Sequence, residues 1–367
     1  MYLQQLQLQD FRNYRQQEVI FSAPKTILVG DNAQGKSNLL EAVELLSSLS
    51  SHRASREREL IHRDRDQAWI RATIRRWDVE RQVGILLRNG GRKSLQVNGQ
   101  TLNRHLDFLG QLNAVLFSSW DLEIVRGNPE YRRSWLDRVL IQLEPVYGQI
   151  REDYARTLRQ RNALLKSESR DPEVLLVWNQ ALIKTGMRVM RRRQRLIQRL
   201  QPLAQTWHHQ ISGGQEELTL SYQSQVPCPP TDATDAWIAA FQEQLQRLAK
   251  AESQRGTSLV GPHRDEVDLY LNGIPARLYG SQGQQRTLVL ALKLAELHLI
   301  EEVIGEPPLL LLDDVLAELD LHRQNQLLDA IQNRIQTVVT ATHLNAFAAP
   351  WLGSAQIYHV HQGSLRL

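Results

Sequence analysis

The sequence predicts an α/β fold in which one lobe, made of a mixed sheet and an antiparallel meander, is interrupted by an inserted helical lobe. A short apolar run over 26–29 ends at a glycine-bounded loop, and apolar residues at helical spacing follow over 38–46, which predicts strand, loop and helix. The spacing is helical from about 105 to 255, and strand patterns return afterwards. We therefore expect lobe I at 1–104 and 256–367, and a helical lobe II at 105–255.

The individual elements follow from hydrophobic period and turn chemistry. Residues 3–8 alternate between apolar and polar and predict the first strand. Residues 70–103 predict a meander with a turn at Asn98-Gly99, because Asn-Gly is a strong hairpin signal. Pro172 and Pro202 predict interruptions of the helical lobe. Further helices are predicted at 147–165, 174–203 and 287–300. Further strands are predicted at 267–271, 309–312 and 336–341.

The composition is typical of a soluble globular protein and argues against several classes. The 367 residues include 44 Lys plus Arg, 40 Asp plus Glu and 42% apolar residues. No apolar run approaches the roughly 18 residues that span a bilayer, and the N-terminal segment lacks the pattern of a secretory signal. The single cysteine, Cys228, cannot form an internal disulfide. We expect a cytoplasmic protein without a membrane association.

The charges are distributed unevenly along the chain. Residues 151–200 contain 13 Lys plus Arg against 5 Asp plus Glu, whereas residues 301–330 contain 8 acidic residues and one base, Arg323. The first segment is suited to a polyanion and the second to a cation. A solvated helix face is the simpler explanation of a charge run taken alone.

A phosphate-binding loop is the strongest motif. Residues 30–37 match G-x-x-x-x-G-K-[ST] and lie between a predicted strand and a predicted helix. In such a loop the backbone N–H groups and the helix N-terminus face the phosphates. Lys36 would neutralise the β- and γ-phosphate oxygens, and the Ser37 hydroxyl would bind Mg²⁺. The predicted binding residues are Gly30, Asp31, Asn32, Ala33, Gln34, Gly35, Lys36 and Ser37.

An acidic pair follows the apolar strand at 309–312. Asp313 would hold the Mg²⁺ shell, and Asp314 would orient or deprotonate an attacking water. A carboxylate pair after a strand is, by itself, more often a helix cap. The phosphate-binding loop in the same chain makes the metal interpretation the stronger one.

Three further segments resemble motifs of ABC-type ATPases. Residues 281–284, Ser-Gln-Gly-Gln, resemble the S-x-G-Q signature and precede a predicted helix. Residues 315–320, which end at Asp320, are similar to the loop that follows the acidic strand in that class. Residues 337–343 are similar to the strand that ends in its switch histidine, here His343.

The whole chain resembles the RecF family of bacterial recombination and gap-repair ATPases. The match is carried by Phe11-Arg12-Asn13-Tyr14, by the phosphate-binding loop, and by residues 125–137 and 259–266. The family usually has Thr at the position of Ser37, and this exchange keeps the hydroxyl. It usually has Pro-Glu at the positions of Ser119-Trp120, just before Asp121-Leu122. The sequence therefore does not identify which residue has the Q-loop role of sensing the γ-phosphate.

The resemblance implies an ABC-type ATPase head with ATP and Mg²⁺ as ligands. Asp313, Asp314 and His343 would be catalytic, and Arg12 would belong to the nucleotide site. Ser281, Gly283 and Gln284 would complete the site of a second copy, so that ATP binding drives homodimerisation. The aspartate at 314, one methylene shorter than the usual glutamate, predicts slow, weak DNA-dependent ATPase activity used as a switch.

The resemblance also implies binding to double-stranded and single-stranded or gapped DNA, with RecR and RecO as partners, in RecA loading, replication restart and SOS induction. Candidate DNA contacts are Arg191, Arg192 and Arg195 in the basic segment. The alternatives are an SMC- or Rad50-like head, which would need a long heptad coiled coil, or a transporter ATPase subunit, which would need a membrane partner.

Two other motif matches have simpler explanations. His263-Arg264-Asp265 imitates a kinase catalytic loop, but the accompanying Asn and glycine-rich loop are missing, and a turn before a strand explains it. His208-His209 with Cys228 could suggest zinc, but adjacent histidines point to different sides of a helix. We expect neither a kinase site nor a zinc site.

Overall fold

The computed structural model describes residues 1–167, 171–227, 233–331, 334–347 and 349–367. Contacts divide this part of the chain into two compact units. Unit 1 comprises Met1–Leu122, Gln210–Gly213 and Arg286–Leu367, and unit 2 comprises Glu123–His209 and Gly214–Gln285.

Unit 1 contains an antiparallel sheet of six strands in the order β2-β1-β4-β5-β6-β7. Its strands are β1 (Tyr2–Phe11), β2 (Tyr14–Ile20), β4 (Gln67–Arg76), β5 (Val79–Arg88), β6 (Ser94–Val97) and β7 (Gln100–Leu102). In β1 the residues Leu6 and Leu8 are buried while Gln7 and Gln9 are exposed, as the alternating sequence predicts. Leu3 is buried as well, and the strand register shifts between Leu3 and Gln5. The predicted meander and its Asn98-Gly99 turn are confirmed.

The second sheet of unit 1 is mostly parallel and has the order β15-β14-β3-β13-β12-β8. Its strands are β3 (Lys25–Val29), β8 (Ala114–Ser118), β12 (Leu309–Asp313), β13 (Thr337–Ala341), β14 (Ala355–His361) and β15 (Ser364–Arg366). Only β15 is antiparallel to its neighbour. β3 and β13 are buried along their whole length, which is typical of a parallel strand covered on both faces.

Helix α1 (Lys36–Ser48) provides much of the core of unit 1. It contacts strands of both sheets, among them β5, β8, β12 and β13, and almost all of its residues are buried. One hydrophobic cluster contains α1 side chains such as Leu39 and Val43 together with residues of the two sheets. The other helices of unit 1 are α9 (Leu321–Ile331), α10 (Ala349–Gly353) and most of α8 (Gln282–Ile304).

Unit 2 is mainly helical and includes a small antiparallel sheet in the order β11-β10-β9. Its strands are β9 (Leu218–Gln223), β10 (Glu266–Leu271) and β11 (Ile274–Pro275). Its helices are α2 (Glu123–Arg126), α3 (Pro129–Leu143), α4 (Val146–Lys166), α5 (Pro172–Ile211), α6 (Thr234–Arg255) and α7 (Ala276–Tyr279).

The contacts place both boundaries between the two units later in the chain than predicted. They lie after Leu122 and Gln285, whereas the sequence predicted them after 104 and 255. β8, within the segment predicted to be helical, pairs with β12 and therefore belongs to unit 1. β10 pairs with β9, which keeps the residues after 255 in unit 2 as far as Gln285. The predicted helical lobe at 105–255 therefore also contains two strands, β8 and β9, that the helical spacing did not indicate.

The predicted interruption at Pro202 is also wrong, because α5 continues through it. A proline inside a helix cannot donate a hydrogen bond to the carbonyl four residues earlier, here that of Gln198. Both residues are on the exposed side of α5, where water can satisfy this carbonyl. The predicted break at Pro172 is confirmed, since α5 begins there.

A buried ionic network connects three parts of unit 2. The Arg161 guanidinium on α4 lies 2.5 Å from the Glu252 carboxylate on α6, and both side chains are at least 97% buried. Arg161 also donates to Ser258 Oγ at 2.7 Å and to Asn179 Oδ1 at 2.8 Å. Glu252 accepts the Leu259 N–H at 2.7 Å. The pair therefore fixes the segment that enters β10.

The same segment contains His263 and Asp265, whose contacts are internal. Tyr154 donates its hydroxyl to His263 Nδ1 at 2.5 Å, and His263 Nε2 lies 3.1 Å from the Ser258 carbonyl oxygen. Burial lowers the pKa of His263 to about 4, so the ring is neutral near pH 7. Asp265 is buried and accepts from Tyr222. A structural turn, rather than a kinase loop, explains this motif.

We predict that Glu252→Ala lowers the free energy of unfolding by about 3 to 5 kcal/mol, because it leaves the Arg161 guanidinium buried without its counter-ion. Urea unfolding followed by circular dichroism measures the change. Glu243→Ala, an exposed position on the same helix, is the control and should stay within about 0.5 kcal/mol of the parent. Equal effects of the two substitutions on the free energy of unfolding would contradict the conclusion that Glu252 stabilises unit 2 as the buried counter-ion of Arg161.

Candidate nucleotide-binding site

The predicted phosphate-binding loop connects β3 to α1, and its two glycines are required by space and by backbone conformation. Gly35 has a φ of +119° at the start of α1, and a Cβ there would lie 2.7 Å from Asn13 Nδ2. A Cβ at Gly30 would overlap the carbonyl oxygen of Val360. Tyr14 donates its hydroxyl to the Gly35 carbonyl oxygen at 3.0 Å. The loop is thus tightly framed by β2 and β14.

Gln34 fixes the tip of this loop through contacts with residues far away in the sequence. Its carbonyl oxygen accepts from Asn13 Nδ2 and from the Gly363 N–H, each at 2.9 Å. Its side-chain Oε1 accepts the Gln362 N–H at 2.7 Å. The shape of the loop is therefore set by the protein itself.

Lys36 projects back over the loop, where a phosphate-binding lysine is expected. Its side chain is almost fully buried, and Nζ donates to the carbonyl oxygens of Gly30 at 2.7 Å and Asp31 at 2.9 Å. The ammonium group is thus held in the curve of the loop. A phosphate placed there would meet a positive charge together with the N-terminus of α1.

The loop and the acidic strand meet at the side chains of Ser37 and Asp313. Ser37 donates its hydroxyl to Asp313 Oδ1 at 2.8 Å, and Thr340 donates to the same oxygen at 2.8 Å. The contact forms because β3, β13 and β12 are consecutive parallel strands, so their carboxyl ends lie at one edge of the sheet. The two residues predicted to bind Mg²⁺ are therefore adjacent.

The donor set fits Mg²⁺. A serine hydroxyl and one carboxylate are hard oxygen ligands, and Mg²⁺ in nucleotide sites takes few protein ligands and is otherwise bound by water and phosphate. Within the ranges that the structure describes, no cluster of three or more His, Cys, Asp or Glu side chains could hold a metal. The site thus suits a metal that arrives with a nucleotide.

Asp314, the predicted general base, directly follows Asp313 at the end of β12. Its backbone is left-handed, with a φ of +55°, and its N–H donates to Thr340 Oγ1 at 2.8 Å. Partial burial raises the pKa of the Asp314 carboxyl, the Lys36 ammonium opposes this shift, and the Asp313 carboxylate adds to it. A raised pKa makes a carboxylate a better proton acceptor.

The other predicted nucleotide-site residues differ in their surroundings. His343 is exposed and follows β13, the strand between β3 and β12, so it lies at the same sheet edge. Asp320 is exposed and accepts the Arg323 N–H at 3.0 Å. Arg12 donates to both carboxylate oxygens of the buried Glu41 on α1, at 2.9 Å and 2.7 Å. Arg12 thus connects β1 to the helix that carries Lys36.

The signature residues begin helix α8 in unit 2. Ser281 and Gln284 form reciprocal hydrogen bonds: the Gln284 N–H donates to Ser281 Oγ at 3.2 Å, and the Ser281 N–H donates to Gln284 Oε1 at 2.7 Å. This is a capping box, which satisfies two N–H groups of the helix start. Ser281 is exposed and Gly283 is partly exposed.

The three candidate DNA-binding arginines on α5 are not equally available. Arg192 makes a two-pronged ion pair with Glu144, with both distances at 2.8 Å. Arg191 is partly buried and donates to Thr234 Oγ1 at 3.2 Å. Arg195 is exposed, and its Nε donates to the Arg191 carbonyl oxygen. Arg195 therefore has the most accessible charge of the three.

Sequence reasoning missed two parts of the site. Thr340 binds both Asp313 and the backbone of Asp314, and the available signal was a hydroxyl inside a buried strand, where a polar group needs a partner. Strand β8 places Ser118 beside Asp313 in register, so Ser119 and Trp120 follow at the same sheet edge. The apolar run 114–117 was the signal for this strand.

Side-chain positions disfavour zinc at the adjacent histidines, as expected. His208 is fully buried whereas His209 is exposed, so they face opposite sides of α5. Cys228 lies outside the described residues. Among the described helices, none is long and apolar enough to cross a membrane.

Comparisons with known proteins agree with this fold. Residues 2–364 match a family model described as the RecF/RecN/SMC N-terminal domain. The DNA replication and repair protein RecF of Synechococcus sp. (strain JA-2-3B'a(2-13)) is 61% identical over 373 residues, which cover 100% of this chain and 97% of that protein.

Solved structures extend the comparison. The structure of the recombination mediator protein RecF with ATP, in the RecFOR pathway, has a TM-score of 0.92 and 31% identity, covering 100% of this chain and 97% of that one. The Smc head domain of Pyrococcus furiosus has a TM-score of 0.56 at 17% identity, covering 100% of this chain and 95% of that one. The second likeness concerns the fold alone. The match to RecF, together with the family model, confirms the predicted ABC-type head. Since the family match spans nearly the whole sequence and the relative is 61% identical over all of it, the chain belongs to the RecF family of DNA replication and repair proteins.

Proposed function

We propose that this protein binds ATP with Mg²⁺ in unit 1 and uses it to join two copies of itself on DNA during recombinational repair. The observation that carries the proposal is the meeting of Ser37, Asp313 and the buried Lys36 ammonium around one loop. The structure of RecF with ATP, a relative that covers the whole chain, supports ATP as the nucleotide.

The chemistry follows from the arrangement of these side chains. Lys36 and the N-terminus of α1 would neutralise the phosphates, and Ser37 and Asp313 would hold Mg²⁺. When bound, Mg²⁺ would neutralise part of the negative charge of the phosphates. Asp314 would take a proton from water as the water oxygen attacks the γ-phosphorus, and ADP leaves with the bonding electron pair. His343 would orient the γ-phosphate.

Hydrolysis would be slow enough to serve as a timer. The Asp314 side chain is one methylene shorter than the usual glutamate, which places the carboxylate farther from the attacking water. Its left-handed backbone is tolerated by Asp better than by longer residues. We therefore propose a weak ATPase, stimulated by DNA, in which hydrolysis ends a DNA-bound state.

ATP would join the two copies through the signature. A phosphate-binding loop alone leaves the γ-phosphate open on one side, and Ser281 and Gly283 of the second copy would cover it. Ser281 is exposed, and its hydroxyl proton is left to donate when Oγ accepts the Gln284 N–H. The Asp320 loop would contribute to the same contact.

The cellular setting proposed for this chain is that of its relatives. The solved RecF structures are described within the RecFOR pathway, which favours RecR and RecO as partners and gapped DNA as the substrate. RecA loading, SOS induction and a cytoplasmic location follow from that role. An SMC-like head is the second candidate, but α5, the longest described helix, has 40 residues and measures about 60 Å, far short of an SMC coiled coil. A transporter ATPase subunit is disfavoured because the RecF match covers the whole chain and includes the basic segment.

We predict that Lys36→Met weakens ATP binding about 100-fold, because about two charge-assisted hydrogen bonds to phosphate oxygens are lost. Isothermal titration calorimetry with ATP and Mg²⁺ measures the affinity. Lys250→Met, at an exposed position, is the control and should bind ATP normally. ATP-dependent dimers of the Lys36 variant at parental ATP concentrations would contradict the proposed coupling.

We predict that Ser281→Arg leaves ATP binding by the monomer intact but prevents ATP-dependent dimerisation and hydrolysis. The bulky cation would occupy the space beside the γ-phosphate bound by the other copy. Sedimentation velocity with and without ATP measures the dimer, and phosphate release measures hydrolysis. Hydrolysis at the parental rate per monomer would show that the signature does not act in trans.

We predict that replacing Arg191, Arg192 and Arg195 with Ala weakens DNA binding and flattens the plot of log affinity against log salt by roughly one to two units. Each phosphate contact contributes about 0.9 to that slope. We expect a change in slope nearer to one unit than to two, because the charge of Arg192 is already paired with Glu144. Fluorescence anisotropy with gapped DNA between low and moderate salt provides the slope, and ATP binding is the internal control.

The second candidate for the DNA path is the segment of unit 1 after α1, which carries Arg53, Arg56, Arg58 and Arg63. A matched variant tests it. Arg56→Ala combined with Arg63→Ala removes two exposed charges on the segment after α1. Arg58 is unsuitable for this purpose because its guanidinium binds the carbonyl oxygens of His62, Arg63 and Arg65. If the salt slope is unchanged in the α5 variant but flattened in the Arg56 and Arg63 variant, DNA binds along unit 1 and not along α5.

A further inference from the structure

The Gln284 side chain in the signature is used entirely within its own unit. Its Oε1 accepts the Ser281 N–H at 2.7 Å, and its Nε2 donates to Glu216 Oε1 at 2.8 Å. The Gln284 N–H in turn donates to Ser281 Oγ at 3.2 Å. Both ends of the amide are therefore engaged in holding the start of α8.

Glu216 is itself held on both sides in the turn between α5 and β9. Before it, the Gly214 N–H donates to the His209 carbonyl oxygen at 2.8 Å. After it, Glu217 and Asn272 exchange two hydrogen bonds, at 2.8 Å and 2.9 Å. The carboxylate is thus presented to Gln284 by a turn with little freedom to move.

The second oxygen of Glu216 faces the end of the long helix α5. Glu216 Oε2 lies 3.5 Å from His208 Nε2, and the His208 side chain is fully buried. The Glu216 side chain is itself only 18% exposed. One carboxylate therefore lies between a buried side chain of α5 and the signature.

We propose that Glu216 is a positioning residue for the signature: it fixes the amide of Gln284, which in turn fixes Ser281 for its contact with the nucleotide of a second copy. The proposal rests on the trans role of the signature described above. It assigns Gln284 an internal role, as a connection between Ser281 and Glu216. Without the carboxylate, the Gln284 amide can rotate away and release the Ser281 N–H.

Two substitutions at Glu216 separate the hydrogen bond from the charge. Glu216→Ala removes the acceptor, whereas Glu216→Gln keeps an oxygen that can accept from Gln284 Nε2. We expect Glu216→Ala to weaken ATP-dependent dimerisation about tenfold, as for the loss of one charge-assisted hydrogen bond. Glu216→Gln should restore it to within about threefold of the parent.

Glu217→Ala is the matched control. The neighbouring Glu217 is exposed, and its carboxylate contacts only Gln205 Nε2, at 3.4 Å, among the side-chain bonds that the structure describes. The dimer is measured by sedimentation velocity with ATP, and ATP affinity of the monomer is measured by calorimetry. ATP affinity should be unchanged in all three variants, which distinguishes positioning from general damage to the fold.

Hydrogen exchange tests the contact without relying on dimerisation. In the nucleotide-free protein, the Ser281 amide should exchange about tenfold faster in Glu216→Ala than in the parent, while Glu216→Gln and Glu217→Ala should match the parent. Parental exchange in Glu216→Ala, or parental dimerisation of it when Ser281→Arg fails to dimerise, would overturn the inference. Dimerisation of Ser281→Arg would instead contradict the proposed function, and the exchange result would still decide whether Glu216 holds Gln284.

Discussion

The hydrogen bond from the Ser37 hydroxyl to the Asp313 carboxylate is the contact on which the site depends. It joins residues 276 positions apart, and it forms only when β3, β13 and β12 are consecutive in one parallel sheet. Helix α1, which begins at Lys36, contacts β12 and β13 and so packs next to this edge of the sheet. The topology of unit 1 therefore determines whether a phosphate site exists at all.

The sequence predicts the site better than it predicts the architecture around it. The loop at 30–37 and the pair at 313–314 are local patterns whose chemistry depends on residue type and spacing, and the structure brings Ser37 and Asp313 together as expected. The partners of those residues come from distant parts of the chain. Thr340, Asn13 and Gln362 could not be connected to the site from one sequence, because strand order is not visible in hydrophobic period.

The errors in the fold have physical causes as well. β8 is a short apolar run inside a segment whose overall period is helical, and period alone does not separate a buried strand from a piece of helix. Pro202 failed to end α5 because its missing hydrogen bond falls on the exposed side of a helix held in place by packing.

The support of Gln34 by Gln362 and Gly363 has a consequence for how the chain is made. A ribosome adds about 5 to 20 residues per second, so roughly 15 to 60 seconds separate the synthesis of the loop at 30–37 from that of its support. During that time α1, which is almost entirely buried in the finished fold, has only part of its core to pack against. All of unit 2 ends at Gln285 and is therefore synthesised well before Gln362 and Gly363. The inserted unit can therefore fold during translation. The phosphate-binding loop, in contrast, gains its support only when nearly the last strand has been made, and α1 stays exposed to aggregation until then.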